Sequence, residues 1–198
     1  MPNHVTNILR VSGDPNKVSA MFKAIKNDEI GLGSIDFNKV IPMPNHIFQG
    51  NLGMAERVKY GKDNWYDWSI ANWGTKWNSY GYDAEYTPKE FDGEHIEFQT
   101  AWSYPDPIIA ALAKQYPNLS FEVKWADEDF GFNVGEKEYE GGVEVRSHIP
   151  EGGSKEALEL AAEVHDRDLA DEGYLFNEST GQYEYHDPEE APMSMQLQ

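Results

Sequence analysis

Apolar side chains alternate along HVTNILRVSG (4–13), where Val5, Leu9 and Val11 fall with Asn7 on one side of an extended chain. After Asp14 and Pro15 the period changes, and Val18, Met21, Phe22 and Ile25 recur at three- and four-residue steps. The first pattern predicts a strand, and the second a helix with an Asp cap and Pro at its first position. A second short strand is expected over 35–41, ended by Pro42 and Pro44. The same grammar returns later. HIEFQTAW (95–102) alternates, Asp106 and Pro107 offer the cap again, IIAALAKQY supplies a helix closed by Pro117, and LSFEVKWA (119–126) is a strand. Strand, helix, strand, taken twice, is the split βαβ arrangement of an α+β, ferredoxin-like sandwich with two helices on one face of a sheet.

Between the two halves lies an aromatic-rich insertion, about 45–92, containing NWYDWSIANWGTKWNSYGY (64–82) with four of the six tryptophans. A helix over 64–73 places Trp65, Tyr66, Trp68, Ile70 and Trp73 on one broad apolar arc. Trp77, Tyr80 and Tyr82 then belong to an extended segment folding back on it. Core packing is the expectation, since large rings anchor small domains and a stacking platform needs more cations than Lys76. Residues 130–150 alternate on either side of Glu140, Gly141 and Gly142, which predicts an extra hairpin and five or six strands, mostly antiparallel.

Beyond Pro150 the composition shifts. A helix is expected over 154–169 with Ala157, Leu158, Ala161, Ala162, Val164 and Leu169 on its apolar face, then a small hairpin in YLFNESTGQYEY and a frayed tail. The chain thus divides into a main domain, 1–150, and an acidic appendage, 151–198.

Charge sharpens this division. The chain carries 35 acidic and 16 basic side chains for a formal net of -19. Residues 1–80 hold 7 acidic and 9 basic groups, and 81–198 hold 28 and 7. Such a field repels nucleic-acid phosphates, so direct duplex DNA binding is not expected, and it favours basic partners. The absence of cysteine excludes a disulfide framework, a zinc finger, an iron–sulfur site and a thiol nucleophile. No run approaches the roughly 20 apolar residues of a membrane span and the first residues do not read as a signal peptide, so a soluble, cytosolic protein is expected.

Motifs for chemistry are weak. DEDFGFNVGEKE (127–138) puts Asp127, Asp129 and Glu138 at calcium-loop positions 1, 3 and 12, but Gly131 stands where a ligand belongs and Phe132 where the turn glycine belongs. HDRD (165–168) resembles a fragment of a phosphohydrolase, with the remaining histidines scattered. There is no G-x-S-x-G, and Gly31 and Gly33 make only G-x-G. Neither catalytic residue, metal nor cofactor is expected.

NWYDWSIANWGTKWNSYGY, FQTAWSYPDPIIAALAKQYPNLSFEVKWADEDFGFNVGE and the opening MPNHVTNILRVSGDP together resemble the YubB-like family of phage and plasmid proteins, over about 1–150. The resemblance implies a ferredoxin-like domain and a mobile-element origin, hence the cytosol of a bacterial host, and it implies no catalytic residue. The expected function is non-enzymatic inhibition of a host nucleic-acid-targeting defence system, CRISPR-Cas or restriction, by an acidic surface that mimics nucleic acid. The expected partner is a defence protein with a basic nucleic-acid-binding surface. The residues expected to meet it are Asp127, Glu128, Asp129, Glu136, Glu138 and Glu140, with Glu159, Glu163 and Asp166 on the appendage. Two alternatives are a single-stranded nucleic-acid or RNA binding module using the aromatic face with Lys59, Lys62 and Lys76, and a metal-assisted hydrolase using His165.

Overall fold

The computed structural model describes residues 2–82 and 91–187. Strand β1 (His4–Ser12) forms where the alternation is cleanest, burying Val5, Leu9 and Val11 on one face. Asp14 then caps α1 (Pro15–Ile25), accepting from the amides of Asn16 and Lys17, and Val18, Met21, Phe22 and Ile25 are all buried, as the spacing requires. The next expected strand, 35–41, is instead the short helix α2 (Phe37–Val40). Asp36 is the cause: its carboxylate accepts from the Asn38 amide and opens a helical turn that still buries Phe37 and Val40.

The insertion holds α3 (Met54–Tyr60) and α4 (Trp65–Trp73), the latter capped by Asn64 and ended by Gly74 in the left-handed conformation. After it come β2 (His95–Ala101), α5 (Asp106–Gln115), β3 (Ser120–Asp127), β4 (Gly135–Glu140) and β5 (Val143–His148). Asp106 is the first helical residue of α5 and not its cap, and its carboxylate takes Lys137 at 2.6 Å.

The strands form one antiparallel sheet in the order β2-β1-β3-β4-β5. β2 and β3 run the same way on either side of β1 and are joined by α5, so one split βαβ unit is present where two were expected. The other is lost with the strand at 35–41. The turn between β4 and β5 is Gly141-Gly142, with φ of 61° and 83°, the doubly left-handed pair that a two-residue hairpin demands.

One face of the sheet packs on α1, α2, α4 and α5 around Phe22, Phe37, Phe98, Phe121 and Leu112. The opposite face receives α6 (Lys155–His165), whose Ala157, Leu160, Ala161 and Val164 meet Ala126, Val134 and Ile8. This helix ends at His165, four residues short of expectation, because Asp166 turns left-handed at φ 52°. A separate hairpin follows, β6 (Tyr174–Asn177) with β7 (Gln182–Tyr185). Most of the tail expected to be frayed, from 188 on, lies outside the described residues.

Candidate functional site

Asp127 ends β3 and is only 4% exposed. Its carboxylate accepts from Asn3 Nδ2 at 3.0 Å, Asn133 Nδ2 at 2.9 Å and the Asp129 amide at 3.0 Å. The group that opened the calcium-like loop therefore holds that loop closed from within. Its neighbours Glu128 and Asp129 stand exposed.

Alternation in β4 points Glu136, Glu138 and Glu140 toward the α6 face. Glu136 and Glu138 bracket Arg146, at 2.8 and 2.7 Å. Lys124, one strand over, reaches Glu163 of α6 at 2.6 Å and lies 3.8 Å from both Glu136 and Glu122. Burial alone would lower the Lys124 pKa, but these three carboxylates raise it. Glu136, with its side chain 16% exposed, is thus committed to a lattice of charges tying α6 to the sheet. Glu140, at the hairpin turn, is exposed.

On α6 the Ser154 hydroxyl caps the first turn by accepting from the Ala157 amide. Three- and four-residue steps then set Glu156, Glu159 and Glu163 along the side opposite the buried Ala157, Ala161 and Val164, and Asp166 stands exposed at the C-terminal cap. Apart from the Lys124–Glu163 pair, the ion pairs given for this side are superficial: Lys155 lies 3.8 Å from Glu159 and His148 3.6 Å from Glu156, and the Glu159 and Glu163 side chains keep 46% and 60% of their exposure. Such pairs exchange readily for a partner's cation. From 151 to 187 eleven acidic side chains face only Lys155 and Arg167. The structure therefore sorts the nine sequence-selected acids into a buried one, Asp127, three in the charge lattice, Glu136, Glu138 and Glu163, and five others exposed, of which Glu159 lies on α6 and Asp166 at its C-terminal cap.

A cleft of about 790 Å³ opens beside this helix, floored by His4, Thr6, Glu97 and Gln99 and walled by residues 79–82 and the end of α6. Tyr80 exchanges backbone hydrogen bonds with Gln99 and so extends the sheet edge. Its hydroxyl bridges the Thr100 carbonyl, at 3.1 Å, and His4 Nδ1, at 2.8 Å. Burial, with the charges of Glu128 and Asp127, pushes the Tyr80 hydroxyl up to about 12. His165 donates from Nε2 to the Asp127 carbonyl at 3.0 Å and lies against the Phe130 ring. Asp168 accepts from the Ala170 amide. Both members of the HDRD pair thus have local structural bonds, and among the described residues no group of three or more histidines and carboxylates is placed to hold a metal ion. Phe130 and Arg167 carry no signal in the sequence, because separate segments bring them to the cleft beside Tyr80.

Residues 81–168 match a family model described as a ferredoxin-like domain in Api92-like protein. The matched span runs from before β2 through α6, while β1, the strand between β2 and β3, lies outside it. No curated protein and no solved structure matches the chain. No described helix is long and apolar enough to cross a membrane.

Proposed function

We propose that this protein is a non-enzymatic binding protein whose acidic appendage occupies a basic, nucleic-acid-binding surface on another protein. The observation that carries this reading is the exposed stripe Glu156, Glu159 and Glu163 on a helix whose other side is buried, with Asp166 exposed at its C-terminal cap. At about 1.5 Å of rise per residue its carboxylates follow one another every 5 Å or so along the axis, a rigid row of negative charge. A row of this kind gives fast, salt-sensitive association with a cationic groove. Glu128, Asp129 and Glu140 add charge from the sheet, whereas Asp127, Glu136 and Glu138 serve the fold. The finer part of the proposal is biological: the resemblance of 1–150 to YubB-like phage and plasmid proteins supports a role against a bacterial defence complex, a CRISPR effector or a restriction enzyme, in the host cytosol.

Affinity capture from a bacterial lysate tests it. The tagged chain is expected to retain a nucleic-acid-handling protein at about 0.15 M salt and to release it near 1 M, where charges are screened within about 3 Å. Glu156→Lys combined with Glu159→Lys, both exposed, should abolish retention with circular dichroism unchanged. A partner lacking any nucleic-acid site, or one still held by the double variant, would overturn the reading.

A further inference from the structure

The tryptophan-rich stretch is not simply core. Trp73 is buried, at 3% exposure, but Trp65, Tyr66 and Trp77 remain partly open, Trp102 is 41% exposed and Ile70 42%. The half-open rings meet edge to face, Trp65 with Tyr66 at 5.8 Å and Tyr66 with Trp102 at 6.2 Å. Cations lie over them. The Arg57 guanidinium is 4.9 Å from the centre of Tyr66, and Lys76 Nζ is 4.5 Å from Trp77 and 4.7 Å from Trp102. Trp102 is set there at the expense of its backbone. Its φ of 73° is a conformation bulky residues avoid, fixed by its amide donating to the Asn3 carbonyl and by Asn133 Nδ2 donating to its own carbonyl, each at 3.0 Å.

We infer that this surface binds single-stranded nucleic acid, with bases stacking on Trp102, Trp77 and Tyr66 and phosphates meeting Lys76 and Arg57. Every base has a π face, so rings interleaved with cations hold an unpaired strand with little regard to sequence, while a duplex keeps those faces stacked away. Local charge permits it in a molecule that is acidic elsewhere. Residues 48–82 carry Arg57, Lys59, Lys62 and Lys76 against Glu56, Asp63 and Asp67. Two of these acids have local donors, Glu56 taking the Gly53 amide and Asp67 the Asn64 side chain. A basic peptide would meet the cations first, and an apolar partner would leave them buried over the rings. The site is separate from the α6 stripe, and each stands or falls alone.

The test is fluorescence anisotropy of labelled oligo(U) and oligo(dT) with the full chain at about 0.05 M salt, where surface charge is weakly screened. Binding by either oligomer is expected, stronger RNA binding adding recognition of the 2′-hydroxyl. Trp102→Gly removes the ring at a φ glycine accepts, and should weaken binding about fivefold or more. Lys76→Gln should lower the slope of log affinity against log salt by roughly 0.7, one phosphate contact on a single strand. Trp77→Leu serves as a second ring variant if Trp102→Gly does not fold. No binding at low salt, or folded ring and lysine variants that bind like the parent, overturns the inference.

Discussion

Asp127 looks from its neighbours like one more member of an acidic loop, yet it is the most structurally committed carboxylate in it. Asp127→Ala leaves two side-chain amides and a backbone amide without their acceptor, and we expect a loss of about 2–4 kcal/mol in urea unfolding. Asp92 differs again, being exposed at the mouth of β2. Burial would raise its pKa, but the amides of Glu94 and His95 and the His95 ring hold it down to about 2. Because this lies below the ordinary value of about 3.9, its contribution to stability is complete above about pH 4 and is lost as pH falls toward 2. Asp92→Asn should therefore flatten the acid limb of a stability–pH curve, and carboxyl NMR titration should show Asp92 protonating near pH 2, below the ordinary aspartate range. Neither behaviour could be read from the sequence, because each depends on the donors that folding aims at one oxygen.

At the scale of elements, the periods were legible wherever a single face is buried. β1, α1, β2 and β3 follow their patterns because alternation or a three-to-four step leaves one buried side, whereas the β4–β5 hairpin follows from its diglycine turn, β5 being exposed along nearly all its length. The stretch at 35–41 misleads because Ile35, Phe37 and Val40 are all buried within a few residues, and the Asp36 cap settles the outcome locally. On α4, Ser69 is buried while Ile70 is exposed, the reverse of what hydropathy demands, because the helix packs over its Trp73 end. The loop between β3 and β4 also meets α6 at a close approach. Gly131 sits at φ 80°, and a Cβ there would come within 2.6 Å of Leu158 Cδ2. Gly131→Ala should lower stability by about 1–3 kcal/mol and increase protease cleavage between 128 and 154, whereas Gly181→Ala, with φ 69° but open space around it, should cost only the backbone strain.

For the whole molecule, the excess of negative charge is the dominant long-range term. Repulsion among acids that α6 and the β6–β7 hairpin hold close together opposes folding, and salt screens it. Raising sodium chloride from about 0.01 to 0.15 M, which shortens the screening length from about 30 to 8 Å, should raise the melting temperature by about 3–6 °C, the size expected for 1–2 kcal/mol in a chain of this length. A melting temperature that falls with salt would show that ion pairs such as Lys124–Glu163 outweigh the repulsion. The two charge characters also separate in space. The cations near the tryptophans lie over rings on the insertion, and the acids crowd the appendage, so a single acidic protein carries two chemically opposite surfaces.

The amino-acid sequence by itself determined the α+β class, the strand and helix periods, the cap at Asp14, the diglycine turn and the division of charge near residue 80. These depend on interactions within a few residues or on composition, and both are written locally. Only the tertiary structure decided that one split βαβ unit forms rather than two, that α6 covers the far face of the sheet, that Asp127 turns inward while Glu159 and Glu163 stay out, and that Trp77 and Trp102 remain half open under Lys76 and Tyr66 under Arg57. Those outcomes depend on which distant segments compete for the same surface, and burial is settled by that competition rather than by the hydropathy of any one side chain.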